Sequence, residues 1–267
     1  MMRWLLLIFS ILVIAGCGCG NQKNKYKLVW SDEFDYTGLP DGLKWNYDTV
    51  GNSWGWGNNE LQYYTSERKE NAWVNDGKLI ITSLQEEGFP AKYTSARLTT
   101  KHKGDWLYGR VEVRAKVSKG TGIWPAIWML PTENKYGEWP HSGEIDIMEH
   151  VGYEPDTVCF TVHTGAYNGM YQTQKSQPVY LPEAEDAFYT YAVEWTKSKC
   201  DFFVDDNKVF SFKKKSDNTE EWPFNHPFHL LLNVAVGGNW GGKHGVDDSI
   251  FPQSMEVEYV RVYQMDK

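Results

Sequence analysis

The residues best placed to do chemistry are three carboxylates in one short run, Gly143-Glu144-Ile145-Asp146-Ile147-Met148-Glu149-His150. In a regular strand Glu144 and Asp146 share one face, with Ile145 and Ile147 on the other. Glu149 breaks this parity. A β-bulge at Ile147-Met148 would absorb the extra residue and return Glu149 to the face of the other two acids. Like charges crowded together push pKa values apart, which suits a site where one carboxyl is ionised while another keeps its proton. With the bulge discounted, four strand steps of roughly 3.3 Å put the Glu144 and Glu149 Cα atoms about 13 Å apart. Side chains converging from a concave sheet would narrow this to the ~5–5.5 Å at which paired carboxyls cleave an acetal by double displacement, with retention. A wider gap would admit a water and favour inversion. Taken alone, the spacing fits a solvated acidic strand equally well.

The neighbouring residues favour the site. Trp124-Pro125-Ala126-Ile127-Trp128-Met129-Leu130-Pro131 lies just upstream, followed by Trp139-Pro140. Aromatics on an adjoining strand and loop would floor a groove beside the acids, although Trp128 also suits a core. The chain carries 13 Trp, 16 Tyr and 12 Phe in 267 residues, more indole than packing alone asks for. Flat rings in a groove are natural partners for the C–H faces of sugars. The net charge of −8 comes with no basic stripe, which excludes a nucleic-acid ligand and argues against a polyanionic one.

The elements that must hold this site are strands. Lys78–Ser83, Gly109–Val117, Tyr189–Trp195 and Cys200–Asp205 alternate polar with apolar residues at the strand period. Asn75-Asp76-Gly77 and Asp205-Asp206-Asn207 mark turns between them. No stretch has the period of a three-turn helix. The expectation is one all-β domain of two packed antiparallel sheets, with the strand-like ends Lys27–Trp30 and Met255–Tyr263 closing the sandwich together.

Residues 1–16 read as an export signal. Arg3 supplies the positive start, Trp4 to Val13 the short apolar run, and Ile14-Ala15-Gly16-Cys17 a small-residue cleavage site. That end resembles the lipobox of bacterial lipoproteins. It implies lipidation of Cys17, a polar tether over residues 17–25, and a membrane-anchored protein on the bacterial surface. A simple cleaved signal is the alternative. Cys159 and Cys200 sit in apolar strands, where cysteines are more often buried and free than paired. Nothing in the sequence demands an oligomer, so a monomer is expected.

From Val29 to Gln264 the chain resembles glycoside hydrolase family 16, the laminarinase-like β-glucanases. The acid run and Trp-Pro-Ala-Ile-Trp-Met-Leu carry the resemblance most specifically. Gly57-Asn58-Asn59-Glu60-Leu61-Gln62-Tyr63-Tyr64, Asn233-Val234-Ala235-Val236-Gly237-Gly238-Asn239-Trp240 and Val260-Arg261-Val262-Tyr263 extend it. It implies a β-jelly roll with a concave substrate cleft, making residues 26–267 the catalytic domain. Glu144 would be the nucleophile, Glu149 the acid and base, and Asp146 a hydrogen-bonding partner of Glu144. Trp124 and Trp139 would be sugar platforms; Asn58, Arg97, His163 and Trp240 would be further substrate-binding residues. Arg97 also suits a plain surface cation, and His163 a satisfied core histidine. No cofactor is implied for catalysis. A structural calcium is, at Glu33, the backbone of Gly77 and Glu258, although the family usually has Asp at the last position. The extra residue in the acid strand favours β-1,3- or mixed β-1,3/1,4-glucan as substrate. A galactan such as agarose, transfer to a sugar acceptor, and a non-catalytic glucan-binding jelly roll are the alternatives.

Overall fold

The computed structural model describes residues 26–266, which form eighteen strands. The first nine are β1 (Tyr26–Asp32), β2 (Asn46–Tyr47), β3 (Gln62–Tyr64), β4 (Ala72–Asn75), β5 (Lys78–Gln85), β6 (Tyr93–Ser95), β7 (Arg97–Thr99), β8 (Asp105–Trp106) and β9 (Gly109–Lys116). The rest are β10 (Ile123–Pro131), β11 (Glu144–His150), β12 (Thr157–His163), β13 (Lys175–Tyr180), β14 (Tyr189–Trp195), β15 (Lys199–Val204), β16 (Asn207–Lys213), β17 (Phe228–Val236) and β18 (Gln253–Met265). Among the described residues the helical segments are single turns of three to five residues.

Two sheets share these strands. The ten-stranded sheet runs β16-β15-β14-β9-β18-β5-β6-β3, with β1 paired to β18 and β4 to β5. The eight-stranded sheet runs β13-β12-β11-β10-β17-β7-β2, with β8 on β17. Pairing is antiparallel throughout except between β3 and β6. The alternation read from the sequence explains the packing. Ile81 and Leu79 of β5, Val111, Val113 and Ala115 of β9, and Val193 of β14 all turn into one core, where they meet Ile145 of β11 and Leu230, Leu232 and Val234 of β17. Each such buried aliphatic side chain larger than Ala contributes about 1.5–3 kcal/mol. The expected closure of the two ends is present, with Tyr26 opposite Met265 and Asp32 opposite Val260. At the β4–β5 turn Asp76 and Gly77 both take positive φ, 50° and 71°, the geometry of a two-residue hairpin.

The other face of the eight-stranded sheet carries the acids. Reading across it, β12 contributes Cys159, Thr161 and His163, and β11 contributes Glu149, Asp146 and Glu144. On β10, Ala126 lies opposite Glu149 and Trp128 opposite Asp146. Asn233 of β17 and Arg97 of β7 continue the row. Cys159 and Cys200 are both free thiols.

Candidate active site

β11 is bulged where the sequence requires it. Against β12, Asp146 faces Thr161 and Glu149 faces Cys159, so three steps on one strand match two on the other. Against β10, Met148 faces Ile127 and Asp146 faces Trp128, again skipping Ile147. Ile147 and Met148 consequently both enter the core and are fully buried. Their burial holds the bulge, and the bulge holds Glu149 on the acid face. Gly143 aims the start of the strand: its φ is 88°, and a Cβ there would lie 2.9 Å from Phe224 and Pro223 ring carbons.

Each glutamate is held by an indole. Trp139 Nε1 donates to Glu144 Oε2 at 2.9 Å, and Trp124 Nε1 donates to Glu149 Oε1 at 3.1 Å. Trp139 is 42% exposed, leaving part of its ring open to a ligand, whereas Trp124 is buried edge-on against Trp240 with ring centres 5.4 Å apart. His163 is not a core histidine. Its Nε2 lies 3.4 Å from Asp146 Oδ2 and 3.7 Å from Glu144 Oε1, and its ring tilts against Trp139.

Burial sets the electrostatics. The Asp146 side chain retains 2% exposure and the Glu144 side chain 15%. Burial, then the adjacent Asp146 charge, pushes the Glu144 carboxyl up to about 8. Glu149 rises to about 7, chiefly through burial, with Glu144 adding to the rise while His163 and the Trp124 indole oppose it. Asp146 is driven well above the usual carboxylate range by burial and by Glu149. Three acids this close titrate as one coupled set and are not all ionised at neutral pH. Asp146 is raised well above the usual range and stands beside Glu144, so a proton on Asp146 relieves the repulsion between them. A neutral Asp146 cancels the second cause of Glu144's rise, which favours Glu144 as the carboxylate, with Glu149 an acid poised near neutrality. The Cys159 thiol beside Glu149 is pushed up to about 12, which leaves it no nucleophilic role.

The remaining sequence-predicted residues divide into two groups. Arg97 is no surface cation: it is 8% exposed, its guanidinium lies between the Trp56 and Trp128 rings at 4.9 and 4.7 Å, and Asp48 accepts its charge at 3.1 Å. Asn58 donates to Glu60 Oε1 at 3.4 Å, and its carbonyl accepts from Asn239, which ties the Asn58 loop to the Trp240 loop. Glu60, Asn233 and Trp128 complete this side of the groove. Trp128 Nε1 donates to Asn233 Oδ1 at 2.7 Å, and Asn233 Nδ2 donates to Tyr64 Oη at 3.0 Å. Glu60 also accepts from Gln62 Nε2 at 2.7 Å. Glu60 and Asn233 stand inside the quoted motifs, so their positions were visible, but linear spacing gives no sign that they share a network.

Glu33, Gly77 and Glu258 lie together where β1, the β4–β5 turn and β18 meet, far from the acid row in the sheet order. Glu33 accepts from Arg261 Nε and Nη2 at 3.0 and 2.7 Å, and Glu258 accepts from Arg114 Nε at 2.6 Å. Each carboxylate is therefore already matched by a guanidinium, and the arrangement does not fit an added cation. Among the described residues, Glu144, Asp146 and His163 form the one cluster of three whose ligand atoms lie within 4.8 Å of one another. Cys17 and the leader lie outside the described residues.

Comparison with known proteins agrees with this geometry. Residues 58–261 match the Glycosyl hydrolases family 16. The chain is 49% identical over 274 residues to the beta-glucanase of Rhodothermus marinus, covering 99% of this chain and 95% of that protein. The X-ray structure of the laminarinase from Rhodothermus marinus superposes with a TM-score of 0.87 at 51% identity, covering 91% of this chain and 98% of the other. A crystal structure of a non-specific endo-β-1,3(4)-glucanase gives 0.86 at 46% identity, covering 91% and 92%. The chain, with its two-sheet β-jelly roll and its acids on one bulged strand, belongs to glycosyl hydrolases family 16.

Proposed function

We propose that this protein is an endo-acting, retaining β-glucanase that hydrolyses β-1,3- or mixed β-1,3/1,4-glucan as a monomer anchored to a membrane. The observation that carries the reading is the bulge: it sets Glu144 and Glu149 on one face, each fixed by an indole N–H, with Asp146 between them. A protein that only binds glucan has no use for three buried carboxyls, whose desolvation is costly.

The chemistry divides between the two glutamates. Glu144, as carboxylate, attacks the anomeric carbon while the bond from that carbon to the leaving oxygen breaks. Glu149 gives its proton to that oxygen, and a glycosyl ester of Glu144 remains. Glu149, now ionised, takes a proton from water. The resulting hydroxide adds to the anomeric carbon and releases Glu144. Asp146 orients Glu144 and keeps the shared charge low. Arg97, Asn58, Trp139, Trp240 and His163 serve the sugar: the polar groups through its hydroxyls, the rings through its C–H faces. The double displacement needs the chain's own carboxyls alone. No step is routed through a calcium at Glu33, Gly77 and Glu258, where each carboxylate is paired with an arginine.

Residues 1–16 are read as the removed leader, Cys17 as the lipidated amino terminus, and residues 17–25 as the tether. The pairing of β1 with β18 supports this geometry, since the tether would leave the domain beside its last strand. Anchoring at the cell surface suits an enzyme that trims a polymer too large to import.

Four outcomes are expected. Wild type should release oligosaccharides from laminarin or barley mixed-linkage glucan, and Glu144→Ala should lose at least about 10³-fold in kcat; products from agarose alone would reject the substrate. Because the first step needs a protonated Glu149, kcat/KM should fall as pH rises through about 7. Trp124→Phe removes a donor that favours the charged form, so the alkaline limb should move to higher pH; an unmoved limb would remove Glu149 from the acid role. Cys17→Ala should shift the protein from the membrane fraction to the soluble fraction, and an unchanged distribution would reject the lipid anchor.

A further inference from the structure

His163 closes a triangle with two of the three acids. It stands opposite Glu144 in the β11–β12 register and diagonal to Asp146. Its Nε2 lies 3.4 Å from Asp146 Oδ2 and 3.7 Å from Glu144 Oε1, and one ligand atom from each of the three residues falls within 4.8 Å of the others. These spacings are close to those of a coordination sphere. Nitrogen and oxygen ligands about 2.0–2.2 Å from a tetrahedral zinc stand roughly 3.3–3.5 Å from one another. Two edges of the triangle already have nearly that length.

The surrounding hydrogen bonds leave these atoms free. Trp139 Nε1 engages Glu144 Oε2, and it is the other oxygen, Oε1, that faces His163. Asp146 is 2% exposed, yet its Oδ2 accepts no hydrogen bond from any described residue. A buried carboxylate oxygen without a donor is costly unless something positive reaches it. On the far side of the ring, His163 Nδ1 has no hydrogen-bond partner among the described residues. Nothing there fixes the tautomer, so Nε2 can present its lone pair to the acids. The Glu144 and His163 side chains keep 15% and 14% exposure, which leaves the triangle open to the cleft on one side.

We propose that Glu144, Asp146 and His163 form an inhibitory site for a divalent transition-metal ion of the zinc type, held by Glu144 Oε1, Asp146 Oδ2 and His163 Nε2. The donor set selects the ion. One imidazole and two carboxylate oxygens suit zinc and its first-row neighbours, whereas calcium asks for a larger set of oxygens and magnesium keeps several of its waters. A dication also offsets the repulsion between the two acids. The consequence for catalysis is direct. With Glu144 Oε1 engaged by the ion, the nucleophile is blocked, and ion and sugar exclude each other at the point of cleavage. The inhibitory effect rests on the glucanase reading; the ion site rests on the triangle alone.

Calorimetric titration of zinc chloride into the full chain tests the site, comparing wild type, His163→Ala, Asp146→Asn and His141→Gln. The zinc that counts is the one dependent on His163, because other histidines take up zinc as well. His163→Ala and Asp146→Asn should each raise its dissociation constant at least about tenfold. His141→Gln, at the exposed His141–Glu220 pair, should leave it unchanged. Thermal midpoints without zinc report whether the variants fold, and wild type alone supplies a second readout. Zinc should raise the apparent KM for laminarin at unchanged kcat, and a chelator should reverse the effect. Equal zinc binding by wild type and both folded site variants, or inhibition that lowers kcat at unchanged KM, would overturn the metal site and leave the glucanase reading intact. Failure of wild type to cut laminarin would overturn the glucanase reading and the inhibitory role, while the calorimetry still decides the ion site.

Discussion

Everything at this site depends on one additional residue in β11. Strict alternation would send Glu149 into the sandwich interior, where a carboxylate without a partner is costly. The bulge instead commits two consecutive apolar side chains, Ile147 and Met148, to the core and turns the third acid outward. The core therefore does more than stabilise the sandwich. It fixes the register on which the spacing of the acids depends, and a bulge anchored by two fully buried side chains does not slip easily.

From that placement the electrostatics follow. The acids are close together and largely withdrawn from water, so protonation is favoured at each, and the cluster holds fewer charges than it has groups. Two indole donors hold the outer acids, one on each glutamate, and His163 Nε2 faces Glu144 and Asp146. Across β10 and β17 the groove is ordered differently, by a network in which Trp128, Asn233, Tyr64, Glu60 and Asn58 are linked by hydrogen bonds and Arg97 is held between two rings. Such a network orients polar groups toward a ligand before it arrives, which lowers the entropy lost on binding.

Much of this was legible in the sequence, for definite reasons. Period-two alternation marked β5, β9, β14 and β15, and the broken parity at Glu149 marked the bulge, because strand geometry leaves few ways to reconcile three acidic and three apolar positions. The pairing of the two ends was visible as two complementary strand-like segments. What could not be read was the register across the sheet. Nothing in the linear order says that Thr161 faces Asp146, that Trp124 and Trp139 spend their N–H groups on the acids, or that Arg97 lies between Trp56 and Trp128. The neighbours of the calcium candidates were hidden for the same reason: Arg261 and Arg114 reach Glu33 and Glu258 across strands distant in sequence.

Glu144 and Glu149 are assigned to double displacement, in which Glu144 becomes bonded to the sugar before water releases it. The most direct measurement is proton NMR of the reducing end generated in the first minutes of glucan hydrolysis, before mutarotation mixes the anomers. The β-anomer appearing first, with the α-anomer growing in later, is the predicted result. The α-anomer appearing first would mean single displacement by water, and would contradict the assignment of Glu144 as nucleophile.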